Sequence, residues 1–267
     1  MLDSKKLNLG CGSRFHSDWQ NVDFTSSGSG KIAADLTRGI PFSDNSYDVV
    51  YHSHLLEHFN KGDAFKFLQE CFRVMKTGAV IRIAIPDLES IVREYLVALE
   101  EARSDKLSGQ QNYEWVLLEM YDQVTRNYSG GEMAEYLFHK EIVNEDFVVA
   151  RCGAEVRKLV ESGQRVLSAN QQQINNEKSI IRKLLGVLLR PQVLREHILS
   201  MLLGAEYKAL QVGRFRMSGE NHQWMYDSYS LGKLLKDSGF KDIVVRSASE
   251  SYISNWSHYN LDTELDG

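Results

Sequence analysis

Glycine and acidic residues follow short apolar runs near the start of the chain. Residues 7–13 read Leu-Asn-Leu-Gly-Cys-Gly-Ser, and a strand that ends in Gly10 and Gly12 can turn sharply and let its backbone approach a ligand. Asp23 and Asp35 end the next two apolar runs. An acid at the tip of the second strand can accept hydrogen bonds from both ribose hydroxyls of an adenosine, and Asp35 could meet the adenine amino group. The pattern predicts a site for an adenosine-containing ligand.

The spacing of these residues argues against a dinucleotide. Asp23 follows Gly10 by 13 residues, whereas the NAD fingerprint needs roughly 20 and a third glycine. That third glycine is missing here. An NAD-dependent sugar-modifying oxidoreductase is therefore disfavoured.

The elements that must position these residues alternate between strand and helix signals. Strands are predicted at 7–9, 21–24, 32–34, 47–51 and 80–85, with a helix over 64–75 that Thr77 and Gly78 stop. A helix over 228–238 follows near the end, with 242–245 and 252–256 as closing strands and 262–266 as a solvated acidic tail. Such alternation predicts an α/β fold with a doubly wound, mostly parallel sheet.

The middle of the chain lacks strand signals. Residues 91–215 carry helical patterns and one proline, Pro191, which predicts a helical insertion or cap before the last β-α unit. Residues 170–176 are rich in Gln and Asn and are predicted to be a loop. The core domain then comprises 1–90 plus 216–260.

Several motifs, taken in order, resemble the class I S-adenosylmethionine-dependent methyltransferases, and more narrowly the bacterial branch associated with cell-surface polysaccharide synthesis. The matching stretches are 7–13, 19–23, 40–48, 56–59, 73–78, 82–87 and 238–240. The resemblance implies a Rossmann-like core and S-adenosylmethionine as the cofactor. It covers the first ninety residues and the last forty, and it says nothing about the insertion.

The resemblance also implies which residues contact the cofactor. They follow the first four strands: Gly10, Cys11, Gly12, Asp23, Phe24, Asp35, Leu36, Ser53 and His54. Two positions depart from the family pattern. Asn8 replaces an acid, and Arg14 replaces a glycine, which could alter the loop or contact the cofactor carboxylate.

Transfer of a methyl group from a sulfonium requires alignment, which can supply ~7–11 kcal/mol. A hydroxyl acceptor also benefits from a base, worth roughly 10²–10⁴-fold. We take His58, His222 and Asp87 as the candidate catalytic residues. His58 and Asp87 follow the fourth and fifth strands at the ligand-binding edge of the sheet, and His222 lies in a polar and aromatic segment just before the helix of the last β-α unit. Each has a structural alternative: a helix-capping or supporting role for His58, a packed loop for His222, and a helix N-cap for Asp87.

Residues 180–190 form an amphipathic pattern, with leucines on a broad side and Arg182, Lys183 and Arg190 on the other. This suits a helix lying in a membrane interface. The alternative is a cap helix packed on the protein body or on the partner of a homodimer.

Composition narrows the function classes. A net charge of -5 argues against nucleic-acid binding. The three cysteines lack zinc-ligand spacing, so no metal site is predicted, and their odd number favours a reducing compartment. We expect a cytoplasmic protein, with a peripheral position at the inner face of the membrane if residues 180–190 bind lipid.

These observations predict a methyltransferase, with O-methylation of a sugar in a surface glycan, a lipid-linked glycan or a nucleotide sugar as the reaction. The sugar rests on the family resemblance alone. One alternative is a small-molecule methyltransferase of secondary metabolism. Another is a non-catalytic Rossmann-like binding module, against which the intact Gly10, Gly12 and Asp23 count.

Overall fold

A computed structural model describes residues 4–25, 30–104, 107–139, 141–153, 156–157, 159–160 and 191–263. The chain divides into two compact units. The first comprises Met1–Arg93 and His222–Gly267, and the second comprises Glu94–Asn221. The predicted loop at 170–176 and the predicted amphipathic helix at 180–190 lie outside the described residues.

The first unit is built on a sheet of five parallel strands in the order β3-β2-β1-β4-β5. Their bounds are Lys6–Leu9 for β1, Gln20–Asp23 for β2, Lys31–Ala33 for β3, Tyr47–Ser53 for β4 and Met75–Ala84 for β5. This sheet, with helices packed against it, confirms the predicted α/β, Rossmann-like class.

Helices connect and follow the strands. In chain order they are α1 (Lys61–Val74), α2 (Leu88–Arg103), α3 (Leu107–Thr125), α4 (Gly131–Leu137), α5 (Glu145–Cys152), α6 (Pro191–Leu203), α7 (Glu206–Arg216), α8 (Ser228–Asp237) and α9 (Trp256–Tyr259). Short 3₁₀ turns lie at Leu36–Arg38 and Leu56–His58. None of the described helices is long and apolar enough to cross a bilayer.

One face of the sheet packs against α1. The helix begins after Asn60, whose side-chain oxygen accepts hydrogen bonds from the backbone N–H groups of Gly62 and Asp63 at 3.0 Å. Its buried side consists of Ala64, Phe67, Leu68, Cys71 and Val74, which join apolar residues of β1, β2 and α8 in the largest core cluster. Burial of this side holds α1 against the strand ends that it connects.

The prediction that Thr77 and Gly78 stop this helix is wrong. The helix ends at Val74, and Met75 already pairs with Tyr47 in the ladder between β4 and β5. Thr77 and Gly78 therefore lie inside β5, because the chain enters the sheet without a connecting loop.

Residues 253–261 cover the opposite face of the sheet. Trp19 and Tyr51 contact Trp256 and Tyr259 through edge-to-face aromatic pairs with centroids 5.3–6.5 Å apart. Aromatic pairs of this geometry stabilise beyond the area that they bury. Residues 253–261 thus take the place that a helix layer has in a fully doubly wound sheet.

The closing strands predicted at 242–245 and 252–256 are also wrong, since neither segment pairs with a strand in the described part of the chain. The guanidinium of Arg82 donates to the carbonyl groups of Ser247 at 3.0 Å and Glu250 at 2.8 Å. A side chain therefore satisfies backbone acceptors that a strand ladder would otherwise use. Trp256 starts α9, and its indole N–H donates to Ala248 O at 2.8 Å.

The second unit is helical where it is described. Trp115 of α3 is fully buried in a cluster with Leu137 of α4 and Val148 of α5. Arg151 of α5 pairs with Glu119 of α3 at 2.6 Å, in a half-buried position. These contacts bind α3, α4 and α5 into one small bundle.

Candidate cofactor and acceptor site

All five strands of the sheet end at the same edge, because they are parallel. The ligand-binding residues expected from the sequence follow those ends: Gly10, Cys11 and Gly12 after β1, Asp23 and Phe24 at β2, Asp35 and Leu36 after β3, Ser53 and His54 at β4, and Asp87 after β5. In the strand order, the chain moves from β1 toward one edge of the sheet, through β2 and β3, and from β4 toward the other edge, to β5. Open α/β sheets bind ligands outside the strand ends at such a switch point.

The loop after β1 turns through two residues with positive φ, Gly10 at +64° and Gly12 at +49°. A Cβ built on Gly10 would lie 2.9 Å from the side chain of Leu55, whereas one built on Gly12 would meet no protein atom within 4 Å. The backbone at Gly12 therefore borders open space. A close approach by a ligand requires that space, so the loop fits the role given to it by the sequence.

Asn8 holds this loop in place. Its amide Nδ2 donates to Arg14 O and to Asn21 Oδ1, both at 3.1 Å, and its side chain is buried. A carboxylate at this position could accept hydrogen bonds but could not donate them. The amide thus ties the loop to β2, and the Arg14 guanidinium donates to Thr263 O at 3.1 Å.

Asp23 lies at the tip of β2 beside the glycine loop. Its Oδ2 accepts a hydrogen bond from the backbone N–H of Gly12 at 2.6 Å, and Lys31 Nζ donates to Gly12 O at 2.5 Å. A carboxylate has about four acceptor positions, so Asp23 can serve the loop and still accept from ribose hydroxyls. The charge of Asp23 adds to burial in raising the pKa of the Cys11 thiol, burial being the larger cause.

The other predicted cofactor contacts differ in accessibility. Asp35 caps the 3₁₀ turn: its Oδ1 accepts from Thr37 N at 3.1 Å and Thr37 Oγ1 at 2.6 Å, and this bonding lowers the pKa of the carboxyl. Its Oδ2 lies 3.1 Å from Arg38. Phe24 is exposed, whereas the side chain of Leu36 is buried in the core and leaves only its backbone for a ligand.

The end of β4 leads into a tight turn. His54 has a φ of +49°, and its N–H donates to Ala84 O at 3.0 Å, which extends the pairing with β5. Its Nδ1 lies 3.2 Å from Oε1 of Glu57. Backbone strain at a non-glycine residue is frequent at functional sites, and here it sets His54 and Ser53 at the switch point.

Glu57 is a buried carboxylate that the sequence did not single out. Its side chain is 1% exposed. Burial favours the neutral acid, but the contact with His54 and the charges of His54 and His222 outweigh burial and lower the pKa of Glu57. A negative charge therefore sits below the loop that carries His54 and His58.

The structure brings His58 and His222 into contact. Their ring centroids are 4.7 Å apart in an edge-to-face arrangement. The contact is fixed by backbone bonds, because Gln223 N donates to Glu57 O at 2.7 Å and Trp224 N donates to the same oxygen at 3.3 Å. Two histidines that are 164 residues apart in sequence are thus neighbours in the fold.

Asp87 lies on the adjoining strand end. Its Oδ1 accepts from Glu89 N at 3.1 Å, which is the N-cap geometry at the start of α2. Asp87 also forms an isolated bridge with Tyr226, and Leu88 N donates to Tyr226 O at 2.8 Å. The segment 222–226 therefore connects the turn that carries His58 with the strand end that carries Asp87.

A second residue missed from the sequence is His52, whose ring lies near Glu57. Its ring is fully buried against Phe67, with centroids 5.3 Å apart, and neither nitrogen has a hydrogen-bonding partner among the described residues. Burial lowers its pKa to about 4, and the charge of Glu57 opposes this shift. No sequence signal distinguishes it from an exposed strand histidine.

Comparison with known proteins finds a family similarity in the first part of the chain. Residues 7–83 match the model of a methyltransferase domain. No curated protein matches the chain.

Two solved structures are similar to part of the chain. A SAM dependent methyltransferase from Archaeoglobus fulgidus is 24% identical over 35% of this chain and 51% of that chain, with a TM-score of 0.28. The PH0226 protein from Pyrococcus horikoshii OT3 is 19% identical over 36% of this chain and 54% of that chain, also with a TM-score of 0.28. The chain thus spans about half the length of these structures. The sequence similarity to a methyltransferase domain covers residues 7–83, which is less than half of the chain.

Proposed function

We propose that the whole chain is an S-adenosylmethionine-dependent methyltransferase that methylates a hydroxyl group of a sugar. The sugar belongs to a surface glycan, a lipid-linked glycan or a nucleotide sugar. The observation that carries the proposal is the contact between His58 and His222, with centroids 4.7 Å apart. It lies at the sheet edge where the Gly10–Gly12 loop and Asp23 also lie, which supports one site for cofactor and acceptor.

The cofactor supplies an electrophilic methyl group, to which an acceptor oxygen bonds as the carbon–sulfur bond breaks. The chain must hold the acceptor in line and remove the hydroxyl proton. His58, His222 and Asp87 are the candidate bases, of which the two histidines are nearer to the charge of Glu57. A buried carboxylate beside an imidazole stabilises the imidazolium that forms when the ring takes up the proton.

An exposed aromatic residue supports a sugar as the acceptor. The side chain of Trp224 is 40% exposed, two residues beyond His222, and Lys61 Nζ lies 3.7 Å from the centre of its ring. An indole that is partly exposed beside polar groups offers an apolar surface together with hydrogen-bonding partners. That combination suits a sugar ring, whose faces are apolar and whose edges are polar.

Activity assays with the purified protein test the proposal. S-adenosylmethionine is supplied with a set of nucleotide sugars and, separately, with small aromatic acceptors, and methylated products are identified by mass spectrometry. Methylation of a nucleotide sugar supports the proposal, whereas methylation of aromatic acceptors alone favours a small-molecule methyltransferase. Failure to bind S-adenosylmethionine in calorimetry would indicate a binding module without the reaction.

We also propose that the enzyme works in the cytoplasm at the inner face of the membrane, with residues 180–190 as the contact. The support is the sequence pattern, in which basic residues and leucines occupy opposite sides. Flotation with liposomes that contain anionic lipid, at low and high salt, tests the contact. Absence of flotation at low salt would leave this segment as a cap or as a dimer contact, which the mass measured by light scattering distinguishes.

A further inference from the structure

Three side chains at the acceptor end of the site offer metal-binding atoms to one another. They are Glu57, His58 and His222, and one ligand atom from each lies within 4.8 Å of the other two. Glu57 and His58 belong to the 3₁₀ turn after β4, and the hydrogen bond from Gln223 N to Glu57 O fixes the segment that carries His222. The backbone therefore holds all three in place before any ligand arrives.

Two of these three side chains are almost fully buried. Glu57 is 1% exposed and His222 is 5% exposed. Oε2 of Glu57 and Nδ1 of His58 have no hydrogen-bonding partner in the part of the chain that the structure describes, and the buried hydroxyl of Tyr226 has none there either. Buried polar atoms are nearly always satisfied, so several orphaned atoms at one place point to a ligand.

We propose that Glu57, His58 and His222 bind a divalent transition metal ion of the Zn²⁺ type. Two imidazole nitrogens and one carboxylate oxygen suit such ions, and three protein ligands leave a position open, as in catalytic metal sites. Metal–ligand bonds of about 2.1 Å place ligand atoms roughly 3.4 Å apart around a tetrahedral ion. The three ligand atoms now lie within 4.8 Å of one another. Side-chain rotations that move each atom by about an ångström would bring them to the distance that a tetrahedral ion requires.

The sequence alone could not predict this site. Its cysteines lack zinc-ligand spacing, and Glu57-His58 is an adjacent pair whose third member, His222, lies 164 residues away. The other cluster of suitable groups among the described residues, formed by His16, Asp18 and His258, is more open, since Asp18 and His258 are exposed. Burial and orphaned atoms favour the first cluster.

The consequence for catalysis rests on the proposed function. A metal ion at this place would lower the pKa of an acceptor hydroxyl that occupies its open position. His58 and His222 would then act on the acceptor through the ion, and the hydroxyl proton would pass to Asp87 or to water. Binding of the ion itself does not depend on methyl transfer.

The proposal is tested on the full chain, freed of metal by a chelator and studied without S-adenosylmethionine or acceptor. Calorimetry measures Zn²⁺ binding, and titration with Co²⁺ is followed by visible absorption, which reports coordination. We expect one equivalent to bind. Each of Glu57→Gln, His58→Ala and His222→Ala should weaken binding at least 10-fold, the lower end of the loss seen even for supporting residues of metal sites.

His197→Ala is the matched control, because His197 is an exposed histidine of α6. It should bind Zn²⁺ as the wild type does, and circular dichroism checks that every variant is folded. If a variant of a buried residue does not fold, two other measurements test the proposal. They are Zn²⁺ binding by His58→Ala, whose side chain is half-buried, and the rise in the melting temperature of the wild type when Zn²⁺ is added. Full affinity in all three ligand variants, or loss of binding in Asp18→Ala instead, would overturn the proposal. Neither result would bear on whether the chain transfers methyl groups.

Discussion

Oδ2 of Asp23 accepts a hydrogen bond from the backbone N–H of Gly12 at 2.6 Å. The tip of β2 thus holds the loop that follows β1, and Lys31 Nζ completes the link by donating to Gly12 O at 2.5 Å. One carboxylate therefore orders the loop and remains available to a ligand. Its two roles can be separated by substitution.

We predict that Asp23→Ala weakens S-adenosylmethionine binding by about 1.5–3 kcal/mol, the worth of a hydrogen bond to a charged group. Asp23→Asn keeps an oxygen that can accept from Gly12 N–H but loses the charge, so its loss should be smaller. Calorimetry measures both. Unchanged affinity in Asp23→Ala would remove this residue from the cofactor site.

The open space beside Gly12 gives a second prediction. A Cβ there meets no protein atom within 4 Å, and the same holds at Gly78 in β5, where φ is also positive, at +79°. Gly12→Ala and Gly78→Ala should therefore lose similar stability, about 1–2 kcal/mol for a left-handed residue. Only Gly12→Ala should lose cofactor affinity, because its methyl group would occupy ligand space. Equal affinity in the two variants would contradict this reading of the loop.

Local sequence signals were enough to locate most strand ends. Gly10, Asp23 and Asp35 lie at or just after the ends of β1, β2 and β3, because turn chemistry and short apolar runs act over a few residues. The helix α8 was predicted within a residue, since it has a local start at Asp227 and a stop at Gly239.

Contacts between distant residues could not be predicted in this way. Val244 and Val245 suit a strand by type, yet they are 53% and 76% exposed, and Arg82 binds carbonyl groups of the segment that follows. Asp262, expected in a solvated acidic tail, is buried against Arg82, which is 180 residues earlier. Glu57 likewise became recognisable as a site residue only through its burial.

The pair of Arg82 and Asp262 gives a prediction about stability. Arg82 Nε lies 2.6 Å from Oδ2 of Asp262, Tyr51 donates to Oδ1, and the two charged side chains are 12% and 6% exposed. Asp262→Ala leaves a buried guanidinium without its carboxylate and should cost about 3–5 kcal/mol of the free energy of unfolding.

Urea unfolding followed by tryptophan fluorescence measures this loss, because Trp19 and Trp256 lie in the adjoining aromatic cluster. The control is Asp237→Ala, which removes an exposed partner of Lys233 and should leave the unfolding midpoint unchanged. A midpoint in Asp262→Ala equal to that of the control would mean that the pair contributes nothing to the fold.

The buried ring of His52 predicts a pH dependence. Its pKa is about 4 in the folded protein, mainly through burial, against an ordinary value of 6.5. Between pH 6.5 and 4, His52 is therefore protonated in the unfolded chain but stays neutral in the folded chain. The free energy of unfolding falls as the pH drops through this range. The shift corresponds to about 3 kcal/mol over that window.

His52→Leu isolates this effect, because leucine fills a similar volume beside Phe67 and cannot take up a proton. The free energy of unfolding is measured at several pH values from 7 down to 5, above the range in which the lowered pKa of Glu57 makes that carboxylate contribute. Contributions that the two proteins share cancel in the difference. The variant should lose less stability than the wild type as the pH falls. Parallel curves for the two proteins would show that His52 is protonated as easily when folded as when unfolded, and that its burial does not control its charge.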